Sequence, residues 1–427
     1  MRALVHGLAI TGVACVRALT GRGHEVVVTD DDLTEARLAT AHDLGVELRP
    51  LPEDGSGLDR LVRSVDVVMP APGVPERHRV HRAAAAAGTE VASEIEIAYR
   101  WEQERVGGPR PILAVTGTDG KTTTTELTVE IVRAGGLRAE SLGNTERPLI
   151  GAIDARDAAE LDVLVVEATS FRLAPTRSFR ADAAAWLNLA PDHLDWHDSL
   201  DTYIAAKQRI FAQQRATDAA IGFVDDPIVM AALARAPGRR RTFGRSGSDY
   251  RVDGGELVGP SGPIAAIAGM WRSLPHDLTN ALAAAALVLE TGVAGPDAVE
   301  RGLAAFTPPP HRLEPVGTWH GVEWFNDSKA TTPHAAATAI RAFGSVVVIA
   351  GGSRKGVDLS PMAAVTDNVR AVVAIGDAAA DVRSAFAPTT DVRDAASMAD
   401  AITTAAHLAR PGDAVVLSPG CASFDWY

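Results

Sequence analysis

The stretch Thr116-Gly117-Thr118-Asp119-Gly120-Lys121-Thr122 constrains this chain more than any other. An apolar run, Ile112–Thr116, leads into it, and a segment from about Lys121 to Ala134 that reads as a helix follows it. Strand, glycine-bearing loop and helix in that order make a cradle for phosphates. Glycines let the backbone turn tightly and aim N–H groups at phosphate oxygens, and the helix N-terminus adds partial positive charge. Lys121 is placed to reach β- and γ-phosphates, and the Thr122 hydroxyl to ligate Mg2+. The loop is shorter at its front than the common G-x-x-x-x-G-K-[ST] pattern. Such a strand belongs in a parallel sheet covered by helices.

The rest of the chain repeats that rhythm. At 427 residues it is too long for one compact domain. Short apolar runs alternate with helical stretches from the start: Ala3 to Val5, Glu25 to Thr29 and Val65 to Met69 read as strands, and Gly12 to Thr20 as a helix. Gly107-Gly108-Pro109 and Pro308-Pro309-Pro310 are the strongest linker signals. They divide the chain into 1–108, 109–309 and 310–427, each an α/β unit. Further strands are expected at Val163 to Glu167, Ala183 to Leu189, Glu323–Phe325, Val346–Ala350, Ala371–Ile375 and Ala414–Leu417. Residues 236–263, rich in Gly, Arg and Ser, suit either short strands or an excursion from the sheet.

Charge and cysteine content exclude several classes. The net charge is -13, and the compact basic cluster Arg239-Arg240-Arg241 reads as a solvated loop, so nucleic acid is not expected as a partner. Cys15 and Cys421 alone build neither a disulfide framework nor a thiolate metal site. The opening MRALVHGLAITG lacks the layout of a signal peptide, and no apolar run of about 18 residues occurs. A cytoplasmic protein without membrane insertion is the expectation.

Other chemistry-bearing residues cluster around the phosphate loop in the expected topology. Glu167 ends the strand Val163-Leu164-Val165-Val166, a usual position for a Mg2+ ligand. Asp192-His193 follows the next strand, with His193 open between helix cap, core residue and ligand. Lys207, in Tyr203-Ile204-Ala205-Ala206-Lys207, reads on its own as a solvated lysine. Gly7-Leu8-Ala9-Ile10-Thr11-Gly12, with Asp30 at the end of the next strand, resembles G-x-G-x-x-G except that Ala9 replaces the second glycine. It suits a nucleotide diphosphate or an empty βα turn.

In order along the chain, several blocks resemble the Mur ligases and the related folylpolyglutamate synthases. They are Thr116 to Thr123, Asn188-Leu189-Ala190-Pro191-Asp192-His193, Tyr203 to Lys207, Pro310-His311-Arg312-Leu313-Glu314 and Asn326-Asp327-Ser328-Lys329-Ala330-Thr331. The last of these, with Gly351 to Lys355 and Leu417 to Asp425, is most similar to the D-glutamate-adding branch of the Mur ligases.

The resemblance implies three domains: a Rossmann-like N-terminal domain for a uridine diphosphate substrate, a central P-loop ATPase-like domain, and a C-terminal Rossmann-like domain for the amino acid. It implies an ATP-dependent ligase of peptidoglycan precursor synthesis that adds D-glutamate to UDP-N-acetylmuramoyl-L-alanine with ATP and two Mg2+ ions; a monomer is expected, although the sequence does not give the oligomeric state. Gly117, Thr118, Asp119, Gly120, Lys121, Thr122 and Thr123 would hold ATP, with Asn280, Arg312 and Asp327 at its adenosine. Thr122, Glu167, His193 and a carbamylated Lys207 would ligate metal, and Lys329 would lie near the phosphates. Ile10, Thr11, Asp30 and Asn144 would touch the nucleotide substrate, and Thr331, Lys355 and Ser423 the D-glutamate carboxylates. Pro191 and Arg172 vary within matching blocks, with little consequence expected. The family pattern also leads one to expect, beyond Asp425-Trp426-Tyr427, a helical stretch with a Phe near the amino acid. Rival readings are a ligase of the same fold with another amino acid or a folate, a non-catalytic nucleotide-binding regulator, and a nicotinamide dehydrogenase.

Overall fold

The computed structural model describes residues 1–154, 161–353 and 358–421. Lys355 and Ser423 lie outside the described residues. The chain forms two compact units, Met1–Trp271 with Leu278–Phe306, and Arg272–Asp277 with Thr307–Tyr427. The first unit carries two sheets, separated in sequence at the Gly107-Gly108-Pro109 linker.

The first sheet contains β1 (Arg2–His6), β2 (Glu25–Asp30), β3 (Leu48–Pro50), β4 (Val67–Pro70) and β5 (Glu90–Val91), all parallel, in the order β3-β2-β1-β4-β5. Strands buried on both faces need apolar residues in both registers. Ala3 and Val5 accordingly join one core and Leu4 another, the latter with Leu58, Val62 and Ala84 of the covering helices. The order reverses beside β1, and ligands of such sheets sit at the carboxyl edge of that switch point.

The central sheet runs β7 (Ala139–Gly143), β8 (Val163–Glu167), β6 (Ile112–Thr116), β9 (Ala183–Trp186), β10 (Ala219–Phe223), β11 (Arg239–Gly244), β12 (Tyr250–Asp253), β13 (Glu256–Gly259), β14 (Gly262–Ala266). It is parallel as far as β12 and ends in an antiparallel meander. The 236–263 stretch is therefore sheet, not an excursion. Asp253 pairs with Glu256 across Gly254 and Gly255, at φ 58° and 83°, the left-handed pair a two-residue hairpin demands. The expectation of a loop at Arg239-Arg240-Arg241 is wrong, although Arg239 and Arg240 are exposed as a solvated run would be. These residues lie on β11, where Arg239 and Arg241 both pair with Glu290, at 2.9 and 2.6 Å. The helix Lys121–Ala134 packs against Pro296–Ala305, where a Cβ on Gly302 would meet Ile131 Cα at 2.7 Å, so glycine sets that close approach.

The second unit holds β15 (Glu314–Trp319), β16 (Val322–Asn326), β17 (Val346–Gly351), β18 (Val369–Ile375), β19 (Asp391–Asp394) and β20 (Ala414–Leu417). Their order is β15-β16-β20-β17-β18-β19, parallel except for the β15–β16 hairpin. Val346, Val348 and Ala350 face one core and Val347 and Ile349 the other. Among the described residues, no helix is long and apolar enough to cross a membrane.

Candidate active site

β6, β8 and β9 are neighbours, so their carboxyl ends deliver the phosphate loop, Glu167 and the 188–193 segment to one sheet edge. Gly120 caps the helix Lys121–Ala134 at φ +80°, and a Cβ there would stand 2.7 Å from Asn280 Oδ1. Both conditions require glycine. Asn280 also accepts from Thr124 Oγ1 at 3.2 Å, which places it beneath the loop.

Asn188 staples the loop. Its Oδ1 accepts from Thr118 N and Asp119 N, each at 2.9 Å, and its Nδ2 donates to Asp119 O at 3.1 Å. Asn188 falls within a block that resembles the family, but nothing local to it in the sequence signals this contact.

Two lysine amines meet at one carbonyl. Lys121 Nζ folds back to donate to Gly117 O at 3.0 Å and Thr118 O at 2.6 Å. Lys207 Nζ reaches Gly117 O at 2.6 Å from the helix Leu200–Ala212, which Ser199 and Thr202 start with a capping box. Lys207 is only 1% exposed, which overturns its reading as a solvated lysine. Burial, reinforced by the neighbouring Lys121 charge, drives its pKa well below the ordinary lysine value.

Glu167 is equally buried. Its Oε1 accepts from Asn144 Nδ2 at 2.7 Å, while Oε2 has no hydrogen-bond partner. A buried carboxylate oxygen without a hydrogen-bond partner is costly, and a divalent cation would satisfy it. His193 adopts φ +55° at the start of a turn, its ring packed edge-on to Phe171 at 4.6 Å and its Nε2 3.2 Å from Asp192 Oδ2. Burial lowers its pKa against the pull of Asp192, with Lys121 and Lys207 adding to the decrease. The neutral imidazole so favoured is the metal-binding form. Thr122 and Thr123 stand on the first turn of the phosphate-loop helix. The donor set thus fits Mg2+.

A narrow cleft adjoins this edge, lined by Thr11, Pro70, Glu94, Phe171, Arg172 and Trp196 among others. The expectation that Arg172 matters little fails here. Its guanidinium, 5% exposed, donates to Glu94 Oε1 at 3.1 Å, Asn144 Oδ1 at 2.7 Å and Thr11 Oγ1 at 3.2 Å. Ile10 is exposed on the opening turn of the helix Ile10–Gly21. Asp30 accepts from Leu8 N at 2.7 Å, from Asp32 N at 3.1 Å and from Arg37 Nη1 at 2.7 Å, so it braces the Gly7 turn. Gly12 lies directly over that turn, where a Cβ would overlap Gly7 O.

The second unit gathers its own cluster. Asp327 Oδ1 accepts from Leu313 N at 3.1 Å and Oδ2 from Ser418 Oγ at 2.9 Å. Burial raises its carboxyl to about 7, opposed by Arg312 and Arg272 among others. His311 and Leu313, flanking Arg312, both take positive φ, at 64° and 46°. Lys329 and Thr331 are exposed just after Asp327.

Comparison with known proteins agrees with this geometry. Residues 115–288 match the Mur ligase middle domain and residues 311–421 the Mur ligase, glutamate ligase domain. A UDP-N-acetylmuramoylalanine–D-glutamate ligase of Frankia casuarinae is 40% identical over 99% of this chain and 90% of its own length. One of Thermobifida fusca is 38% identical over 100% and 95%, and one of Myxococcus xanthus 38% over 100% and 94%. Among solved structures, a pseudomurein peptide ligase type C from Methanothermus fervidus shares the fold at TM-score 0.59 and 18% identity, covering 98% of this chain and 97% of that one. UDP-N-acetylmuramate–alanine ligase from Thermotoga maritima does so at TM-score 0.58 and 17% identity, covering 98% and 95%. With a phosphate loop, an acidic strand end and a buried lysine in family order, and full-length relatives at this identity, the chain belongs to the Mur ligase family.

Proposed function

We propose that this protein uses ATP to join D-glutamate to UDP-N-acetylmuramoyl-L-alanine, a step of peptidoglycan precursor synthesis. The choice of D-glutamate is carried by full-length identity of 36–40% to ligases bearing that name. Residues 1–108 would take the nucleotide substrate, 109–309 ATP and 310–427 the amino acid, with Arg312, Asp327, Lys329 and Thr331 in the roles their motifs imply.

The substrate carboxylate attacks the γ-phosphorus of ATP, a P–O bond to ADP breaks, and an acyl phosphate forms. The D-glutamate nitrogen then attacks the acyl carbon, loses a proton, and phosphate departs. The difficulty lies in bringing two anions together, so catalysis is mostly charge neutralisation and positioning. Lys121 would release the Gly117 and Thr118 carbonyls and donate to phosphate oxygens instead. Thr122, Glu167 and His193 would hold Mg2+, whose charge offsets the repulsion. Lys207 is a buried amine whose neutral form burial favours; its addition to CO2 would form an N–C bond, release a proton and leave a carbamate able to hold a second ion.

Phosphate release from Mg-ATP tests the reading. It should require both UDP-N-acetylmuramoyl-L-alanine and D-glutamate, with L-glutamate and other amino acids inactive. Equal release with another amino acid would reassign the substrate; no binding of ATP at all would remove the enzymatic reading.

A further inference from the structure

We infer that Arg172 is a positioning residue that sets the metal-facing oxygen of Glu167, acting through Asn144, and ties that oxygen to the nucleotide cleft. The inference rests on the reading of Glu167 as a metal ligand.

The argument starts from what each group can donate. A guanidinium carries donors only, and a primary amide carries an acceptor at one end and donors at the other. Arg172 Nη1 lies 2.7 Å from Asn144 Oδ1, so the amide must turn its oxygen to Arg172 and its nitrogen away. That nitrogen then meets Glu167 Oε1 at 2.7 Å. With Oε1 taken, Oε2 is the carboxylate oxygen left buried and unpartnered. Asn144 is itself exposed, so packing does not fix its amide; the two charged neighbours do.

The guanidinium is in turn held rigidly. Glu94, 1% exposed, accepts from Arg172 Nε at 3.1 Å through Oε1 and from Ile150 N at 3.1 Å through Oε2. The remaining terminal nitrogen donates to Thr11 Oγ1 at 3.2 Å, on the first turn of the helix that follows the Gly7 loop. One planar fork therefore spans the cleft wall from the Gly7 turn to the carboxylate. A neutral residue at 172 could not serve all three partners at once.

Mn2+ titration followed by electron paramagnetic resonance, on the full chain with a non-hydrolysable ATP analogue, reads the site without turnover. Arg172→Met should weaken Mn2+ binding about 10–100-fold, the usual effect of losing a group that orients a metal ligand. Arg172→Lys, which keeps one donor for Asn144, should recover part of that loss. Because Arg172→Met strands the buried Glu94, the double variant Arg172→Met with Glu94→Gln is run alongside; it removes both charges and should bind Mn2+ as weakly. Wild-type Mn2+ affinity in a folded Arg172→Met or double variant overturns the inference and leaves a purely structural ion pair. Failure of the unmutated protein to bind Mn2+ instead overturns the reading of Glu167 on which it rests.

Discussion

Gly143 offers a sharp test of how the carboxylate is positioned. It closes β7 at φ +89°, in register with Glu167 on β8. A Cβ there would stand 2.6 Å from the Glu167 carbonyl oxygen, and a backbone atom cannot swing aside as a side chain can. The left-handed conformation costs an alanine about 1–2 kcal/mol. The forced overlap adds about 1–3 kcal/mol, so Gly143→Ala should destabilise the first unit by about 2–5 kcal/mol. Gly136 isolates the two contributions, since it has φ +86° and nothing within 4 Å of its would-be Cβ. Gly136→Ala should therefore lose only the first, about 1–2 kcal/mol. Urea denaturation of both variants measures the difference. The overlap also strains the bond from Asn144 N to Glu167 O, 3.0 Å long, and with it the orientation of the carboxylate. Mg2+-dependent phosphate release should fall at least about tenfold in Gly143→Ala and stay near wild type in Gly136→Ala. Equal stabilities for the two variants, or unimpaired turnover in Gly143→Ala, would refute the steric argument.

Lys207→Met should hold or raise thermal stability, because it replaces a buried amine with an apolar chain of similar length, while phosphate release falls about 100-fold or more; wild-type turnover would take Lys207 out of the site. Asn188→Ala strips the loop of an acceptor for two N–H groups, costing about 1–3 kcal/mol, and should raise the KM for ATP more than that for D-glutamate; equal changes in both would count against a staple. Asp327 makes the second unit pH-sensitive. Its carboxyl is raised to about 7, so as pH rises from about 4 the unfolded chain ionises first and stability is lost through pH 7. Asp327→Asn should flatten that slope in denaturation runs across the window, and an unaltered slope would dismiss the burial argument.

The parts of the site legible in the sequence are those whose chemistry is contiguous. Strand, glycine loop and Lys121 sit within a dozen residues, and Glu167 announces itself as a carboxylate closing an apolar strand. The three-sheet α/β pattern follows from the same periodicity. What stayed hidden depends on partners far along the chain. Lys207 looks solvated because its helix is amphipathic in an ordinary way, and only the packing of that helix against the β6 loop buries its amine. Arg172 looks incidental because its partners, Thr11, Glu94 and Asn144, come from separate elements. The Arg239–Arg241 run reads as a loop because charges are rare in strands; Glu290, 49 and 51 residues away, compensates two of them.

Compensation also separates the two kinds of buried charge in the first unit. Arg172 and Glu94 neutralise each other, and Arg180 pairs with Asp218 at 2.6 Å, as buried ions must if they are to be tolerated. At the phosphate loop no such pairing is present among the described residues. Lys207 has a carbonyl rather than a carboxylate at 2.6 Å, and Glu167 keeps an oxygen without a hydrogen bond. Both groups would be completed by species the chain does not supply, a cation for the Glu167 oxygen and, for the Lys207 amine, the CO2 whose carbamate would hold a second cation beside the phosphates of ATP. Mg2+ and ATP should therefore stabilise the first unit together by more than the sum of their separate effects. Thermal shifts measured with each alone and with both would show it; strictly additive shifts would mean that the two orphaned groups do not face a common ligand.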